Sequence, residues 1–202
     1  MITIVDYKVG NLGSIQNMLK RLGCSSVVTS DPEQISSAEK LILPGVGSFD
    51  SGVSSIKEHN LWDVLNQKVT NEKTPVLGIC LGMQLLCNKS EEGKERSFGW
   101  IDADVIKFNP TDKQFKTPHM GWNYVVAEQP SKLFENMYKN PKFYFVHSYY
   151  VKSYDNSCIG KTTHDITFDS VLEKDNILGT QFHPEKSHKF GMKLLQNFIE
   201  RY

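Results

Sequence analysis

Hydrophobic positions in the first half of the chain come in short β-rich runs separated by stretches with a helical period. Residues 2–6 predict the first strand. Ile15, Met18, Leu19 and Leu22 recur at i, i+3, i+4 and i+7, which puts them on one helical face, and Gly23 stands where a C-terminal cap belongs. Residues 26–30 predict a second strand and 40–43 a third, which enters the turn Pro44-Gly45-Val46-Gly47. Val53, Ile56, Leu61, Trp62, Leu65 and Val69 mark a helical stretch, and residues 75–79 a fourth strand that ends at Cys80. Strands that alternate with helices require crossover connections, so this half predicts a mostly parallel sheet with helices on both faces.

The second half has another texture. Alternating runs at 105–108, 123–128, 142–152, 159–164, 170–173 and 177–182 predict strands, several paired antiparallel, with a turn at Asp175-Asn176. Phe190, Leu194, Leu195, Phe198 and Ile199 give a closing helix its apolar face. No repeat or linker composition separates the halves. The expectation is one α/β domain over residues 1–202, built on a central mixed, mostly parallel sheet flanked by helices, with added antiparallel strands in the second half.

Composition excludes several classes of function. Lys and Arg number 23 and so do Asp and Glu, giving a formal charge of zero, and without a basic field nucleic acid is not an expected partner. The longest run without charged or strongly polar residues, 76–83, falls far short of the roughly 20 residues a membrane span needs, so no membrane segment is expected. The opening MITIVD carries no basic n-region, cleavage site or arginine-rich leader, which predicts a cytoplasmic protein. Cys24, Cys80, Cys87 and Cys158 are scattered without CxxC spacing, which predicts reduced thiols and no metal site.

One cysteine stands out. Cys80 lies between Gly78 and Gly82, where an apolar strand gives way to Met83-Gln84-Leu85-Leu86. A sharp strand-to-helix turn of this kind presents its central residue in a strained conformation, as in the G-x-S-x-G hydrolases. It also faces a thiolate toward the amides at the start of the next helix. The competing reading of any cytosolic cysteine is a small buried hydrophobe, and it fits Cys24, Cys87 and Cys158 better than Cys80.

A nucleophilic thiol needs a base that takes its proton and returns one to the leaving group. Among six histidines His183 is the best placed, directly after the last apolar run. Pro184 fixes the backbone so that Glu185 can reach back to the imidazole and set its tautomer. His119 and His147 sit among apolar and aromatic residues and read as core histidines, while His59, His164 and His188 read as surface residues. Attack on an amide creates an oxyanion that fixed N–H groups must meet. The glycine-rich 44–47 turn supplies one candidate donor and the N–H of Leu81 another.

Taken together, Leu43-Pro44-Gly45-Val46-Gly47, residues 77–84 and Gln181-Phe182-His183-Pro184-Glu185-Lys186-Ser187 resemble, in their order, the class I, triad-type glutamine amidotransferases. Residues 6–14, Pro118-His119-Met120-Gly121-Trp122-Asn123 and Phe145-Val146-His147-Ser148-Tyr149 extend the likeness over essentially the whole chain. They make it similar to the glutaminase subunits of imidazole glycerol phosphate synthases of the histidine pathway. The resemblance implies a triad of Cys80, His183 and Glu185, and oxyanion donors at Gly47 and Leu81 after the Val46 peptide reorients. It also implies L-glutamine contacts at Gly45, Gln84, Ser148 and Tyr149. It implies no metal or cofactor. The implied partner is a (β/α)8-barrel synthase subunit in a heterodimer, which receives the ammonia and makes imidazole glycerol phosphate and AICAR. Asn11, Trp122, Tyr144 and Lys186 would lie toward that partner, or else serve in packing or solvation. Residues 97–103 are similar instead to paralogues in surface-polysaccharide gene sets, which supply ammonia for amidino-sugars, so the acceptor stays open at this stage. A cysteine peptidase on the same elbow, and an interaction subunit without activity, are the readings from other classes. Gln84 and the 44–47 turn speak against the first, and the intact Cys80, His183 and Glu185 against the second.

Overall fold

The computed structural model describes residues 1–112 and 114–202. Its first half follows the predicted alternation. Strand β1 (Ile2–Val5) leads to α1 (Leu12–Arg21), β2 (Ser26–Thr29), α2 (Pro32–Ser36) and β3 (Leu41–Gly45). Then come α3 (Phe49–Glu58), α4 (Trp62–Asn66), β4 (Val76–Cys80) and α5 (Leu81–Leu85). The stretch expected as one helix is broken at Asn60, whose φ of 57° ends α3, and α4 runs on into a wider π-turn over Gln67–Asn71. Pro44 and Gly45 belong to β3 rather than to the turn after it.

The second half is more divided than its hydrophobic pattern. It contains β5 (Lys89–Ser90), β6 (Ala103–Lys107), β7 (His119–Tyr124), β8 (Val126–Ala127), β9 (Lys142–His147) and β10 (Tyr149–Ser153). It closes with β11 (Cys158–His164), β12 (Ile166–Lys174), β13 (Ile177–Thr180) and α6 (His188–Arg201). The single strand expected over 142–152 is two strands that part at Ser148 and enter different sheets. β9 pairs with β7 in a separate two-stranded sheet, whereas β10 lies between β12 and β6 in the main sheet. The strand expected at 123–128 starts earlier, as β7, and breaks before β8.

The main sheet runs β2-β1-β3-β4-β13-β12-β10-β6-β5, and its first five strands are parallel. Alternation along β1 explains the two-sided core: Ile2 and Ile4 face α1 and α6, while Val5 faces the layer of α3, α4 and α5. Because β4 sits centrally, between β3 and β13, the carboxyl ends of three adjacent parallel strands converge at Cys80. Crevices form at such ends in open α/β sheets. No helix among the described residues is long and apolar enough to cross a membrane.

Candidate active site

The elbow forms because two backbone approaches leave no room for side chains. A Cβ on Gly82 would lie 1.7 Å from the Leu43 carbonyl oxygen, and one on Gly78 would lie 2.6 Å from the Gly82 carbonyl oxygen. Those contacts press the start of α5 against β3 and force the residue between the glycines into an unusual turn. Cys80 adopts φ 56° and ψ −108°, a region where a non-glycine residue is strained and persists only when its surroundings impose it. Its register partner across the sheet is Gly45.

His183 reaches the same place from the neighbouring strand. β13 pairs with β4 so that Thr180 stands beside Ile79, and the His183 N–H donates to the Tyr144 carbonyl at 2.9 Å. Pro184 opens a single 3-10 turn, and Glu185 folds back within it. His183 Nδ1 donates to Glu185 Oε1 at 2.8 Å, with both side chains buried. This fixes the proton on Nδ1 and leaves Nε2 facing the cavity, where it makes no hydrogen bond among the described residues. Burial works to lower the His183 pKa, but Cys80 and the Glu185 carboxylate outweigh it and raise it to about 9. Burial pushes Cys87 upward, and Cys158 up to about 12, with nearby aspartates adding to both, so they remain protonated.

Cys80 and His183 open into a cavity of about 320 Å³ whose wall includes Val46, Gly47, Leu81, Gln84, Ser148 and Tyr149. The structure thus brings most of the sequence candidates to one place. Gly45 is the exception. It is buried within β3 and is not part of the cavity wall, and its missing side chain leaves space that the Tyr7 hydroxyl fills.

Behind the cavity lies a hydrogen-bonded string whose directions can be deduced. The Tyr149 carbonyl only accepts, so His147 Nδ1, 2.7 Å away, carries the proton. Burial lowers His147 and His119 to about 3, so both rings are neutral. His147 Nε2 must then accept from His119 Nδ1 at 2.9 Å, and His119 Nε2 from the Asn123 amide at 3.1 Å. The same Tyr149 carbonyl accepts from Gln84 Nε2 at 3.3 Å. Gln84 donates on to Gln181 Oε1 at 3.1 Å, and Gln181 Nε2 points at Cys80 Sγ from 3.7 Å. His119 and His147 are satisfied core histidines, as the sequence predicts.

Sequence reasoning missed two residues of the cavity region. Glu92 lines the wall, and its Oε2 accepts from the Phe49 N–H at 2.8 Å. Gln181 stood inside a recognised motif without an assigned role. Among the residues expected toward a partner, Trp122 stacks on His188 with ring centroids 5.3 Å apart and meets the Tyr144 edge at 6.2 Å. Lys186 Nζ lies 5.8 Å from the Tyr144 ring, so Trp122, Tyr144 and Lys186 share one patch. Asn11, exposed, is the N-cap of α1 and accepts from the Ser14 N–H at 3.4 Å. Residues 97–103 build scaffold: Phe98 stacks between Trp62 and Trp100 at 4.4 and 4.0 Å, and Trp100 Nε1 donates to Asn66 Oδ1.

The family model "Glutamine amidotransferase class-I" matches residues 3–201. A protein of Methanococcus maripaludis named imidazole glycerol phosphate synthase subunit HisH 2 is 57% identical, with 100% of each chain covered. One of Pseudomonas aeruginosa with the same name is 45% identical over 99% of each chain. Among solved structures, one described as a glutamine amidotransferase superposes with a TM-score of 0.77 at 17% identity, covering 99% of this chain and 98% of its own. At that identity the likeness establishes the fold.

Proposed function

The chain belongs to the class-I glutamine amidotransferase family, and from that premise we propose that it is the glutaminase subunit of an imidazole glycerol phosphate synthase, one amidotransferase domain spanning residues 1–202. The observation that carries the chemistry is the buried 2.8 Å contact between His183 Nδ1 and Glu185, with Nε2 left free toward a strained Cys80 in one cavity.

Cys80 Sγ attacks the side-chain amide carbon of L-glutamine. The oxyanion that forms is met by the N–H groups of Leu81 and, once the Val46 peptide has turned, Gly47. Protonated His183 gives its Nε2 proton to the leaving nitrogen, the C–N bond breaks, and ammonia departs from a γ-glutamyl thioester. Water then attacks the thioester, His183 takes its proton, and glutamate and the thiolate are released. Glu185 holds the ring in the tautomer both steps require. Gln84, Ser148 and Tyr149 are positioned to orient the substrate, and the Glu92 carboxylate suits its ammonium group.

Ammonia released into water at neutral pH is protonated and no longer nucleophilic, so a sheltered hand-over to a barrel partner fits the chemistry. The outward side chains of β7, Met120, Trp122 and Tyr124, supply an exposed apolar face for that partner. Between the two acceptors weighed from the sequence, the synthase is favoured by the name its full-length relatives carry. A cytoplasmic location follows from that pathway.

The test is covalent labelling with a glutamine-analogue electrophile. Cys80 is expected to be the modified residue, and glutamine hydrolysis is expected to rise when the barrel subunit with its ligand is added. Ammonia release from glutamine by a Cys80→Ala protein at the wild-type rate would sink the mechanism.

A further inference from the structure

We propose that Tyr7 is a positioning residue whose buried hydroxyl is a reserve hydrogen-bond donor for the 45–47 backbone, used in the conformation that turns an N–H toward the oxyanion. The proposal rests on the proposed function, glutamine hydrolysis at Cys80 with 45–47 as the oxyanion loop.

Tyr7 is fully buried in the layer between the sheet and α3, in one apolar cluster with Leu43, Phe49 and Leu81. Its hydroxyl has no hydrogen-bond partner among the described residues. Buried polar groups are nearly always paired, and an orphan calls for a reason. Packing supplies none, because phenylalanine would fill the same space.

The hydroxyl's position supplies one. A Cβ built on Gly45 would fall 2.3 Å from the Tyr7 oxygen, so the hydroxyl occupies the space where any other residue at 45 would carry a side chain. Gly45 is the register partner of Cys80. After burial, the charge of Cys80 is the second cause that raises the Tyr7 pKa, which places the phenol within electrostatic reach of the nucleophile. Val46 and Gly47 follow directly, both exposed, and Gly47 has φ 111°.

A peptide plane that turns its N–H one way turns its carbonyl the other way. When the loop presents an N–H to the cavity, a carbonyl swings toward the interior, and a buried carbonyl without a donor is unfavourable. The Tyr7 O–H is the donor at hand. The residue itself is anchored, because Ser55 on α3 donates to its carbonyl. A fixed donor of this kind favours the reacting conformation and leaves substrate binding alone.

The experiment compares wild type, Tyr7→Phe and Cys80→Ala in the complex with the ligand-loaded barrel subunit, and measures thermal unfolding of each free chain. Removing an unpaired hydroxyl should leave the unfolding midpoint unchanged or raise it by about 2–4 °C. The kcat for glutamine should fall about tenfold with KM little changed, the effect of one neutral hydrogen bond made only in the reacting conformation. A Tyr7→Phe protein with wild-type kcat overturns the proposal. So does a lowered midpoint, because the hydroxyl would then be bonded already in the resting fold. Failure of the underlying reading looks different: Cys80→Ala and wild type would hydrolyse glutamine alike.

Discussion

At His183 burial and charge pull in opposite directions, and charge prevails. Burial alone would neutralise the ring at physiological pH, yet Cys80 and Glu185 raise its pKa to about 9. The ring is therefore an imidazolium at neutral pH, able to donate to the leaving nitrogen. An unfolded histidine titrates near 6.5, so the folded state holds its proton more tightly. The stabilisation is fully present below about 6.5 and is lost as pH rises from there through about 9. In Glu185→Gln one raising partner is gone, so the His183 resonances followed by NMR should titrate below the wild-type midpoint. An unchanged midpoint would mean that Glu185 does not act on the ring's charge. The stability difference between wild type and this variant should also shrink as pH rises toward 9, read from urea midpoints. Both effects belong to one residue pair and need no partner or substrate.

At the scale of elements, the elbow is a packing problem solved by glycine. A Cβ at Gly82 would overlap the Leu43 carbonyl, and backbone cannot swing aside as a long side chain can. Gly82→Ala should therefore cost on the order of 3 kcal/mol in denaturant unfolding, as overpacking at a backbone contact does; a loss below about 1 kcal/mol would mean that β3 and α5 part easily. This geometry was legible in the sequence because it needs small residues at two fixed positions. The division of 142–152 was not. Phe143, Phe145, His147 and Val151 are all buried at odd positions, so the alternation runs through Ser148 without a change of phase although the strands enter different sheets. Glu92 was hidden for a related reason: its contact with Phe49 spans 43 positions and depends on how the segment after β5 folds back. The neutral string from Asn123 through His119 and His147 ties β7 and β9 to the Tyr149 carbonyl. Both rings are held near 3 when folded and titrate near 6.5 when unfolded, so the unfolded chain binds more protons between those values. Stability should fall as pH drops below about 6.5, at up to about 1.4 kcal/mol per pH unit for each histidine. Urea midpoints between pH 7.5 and 5 check this. A His119→Asn, His147→Asn double variant should show a shallower fall, and an equal slope would contradict the neutral assignment.

For the whole molecule, zero net charge and a mixed surface leave apolar contact as the main route to a stable partner. β7 concentrates that contact. Its inward residues His119, Gly121 and Asn123 face the protein, while Met120, Trp122 and Tyr124 are 61%, 45% and 47% exposed on the other side. Trp122 is held flat against His188 and edge-on to Tyr144, so little side-chain entropy is lost when it is covered. A rigid, exposed aromatic of this kind has the character of an interface hot spot. Trp122→Ala should weaken association with the proposed barrel subunit by about 2 kcal/mol, roughly 30-fold in Kd by titration calorimetry. The indole is not among the residues lining the cavity around Cys80, so labelling of Cys80 by the glutamine-analogue electrophile in the free chain should proceed at the wild-type rate. Loss of labelling together with binding would tie Trp122 to the glutamine site itself. Unchanged binding would move the partner to another face of the molecule.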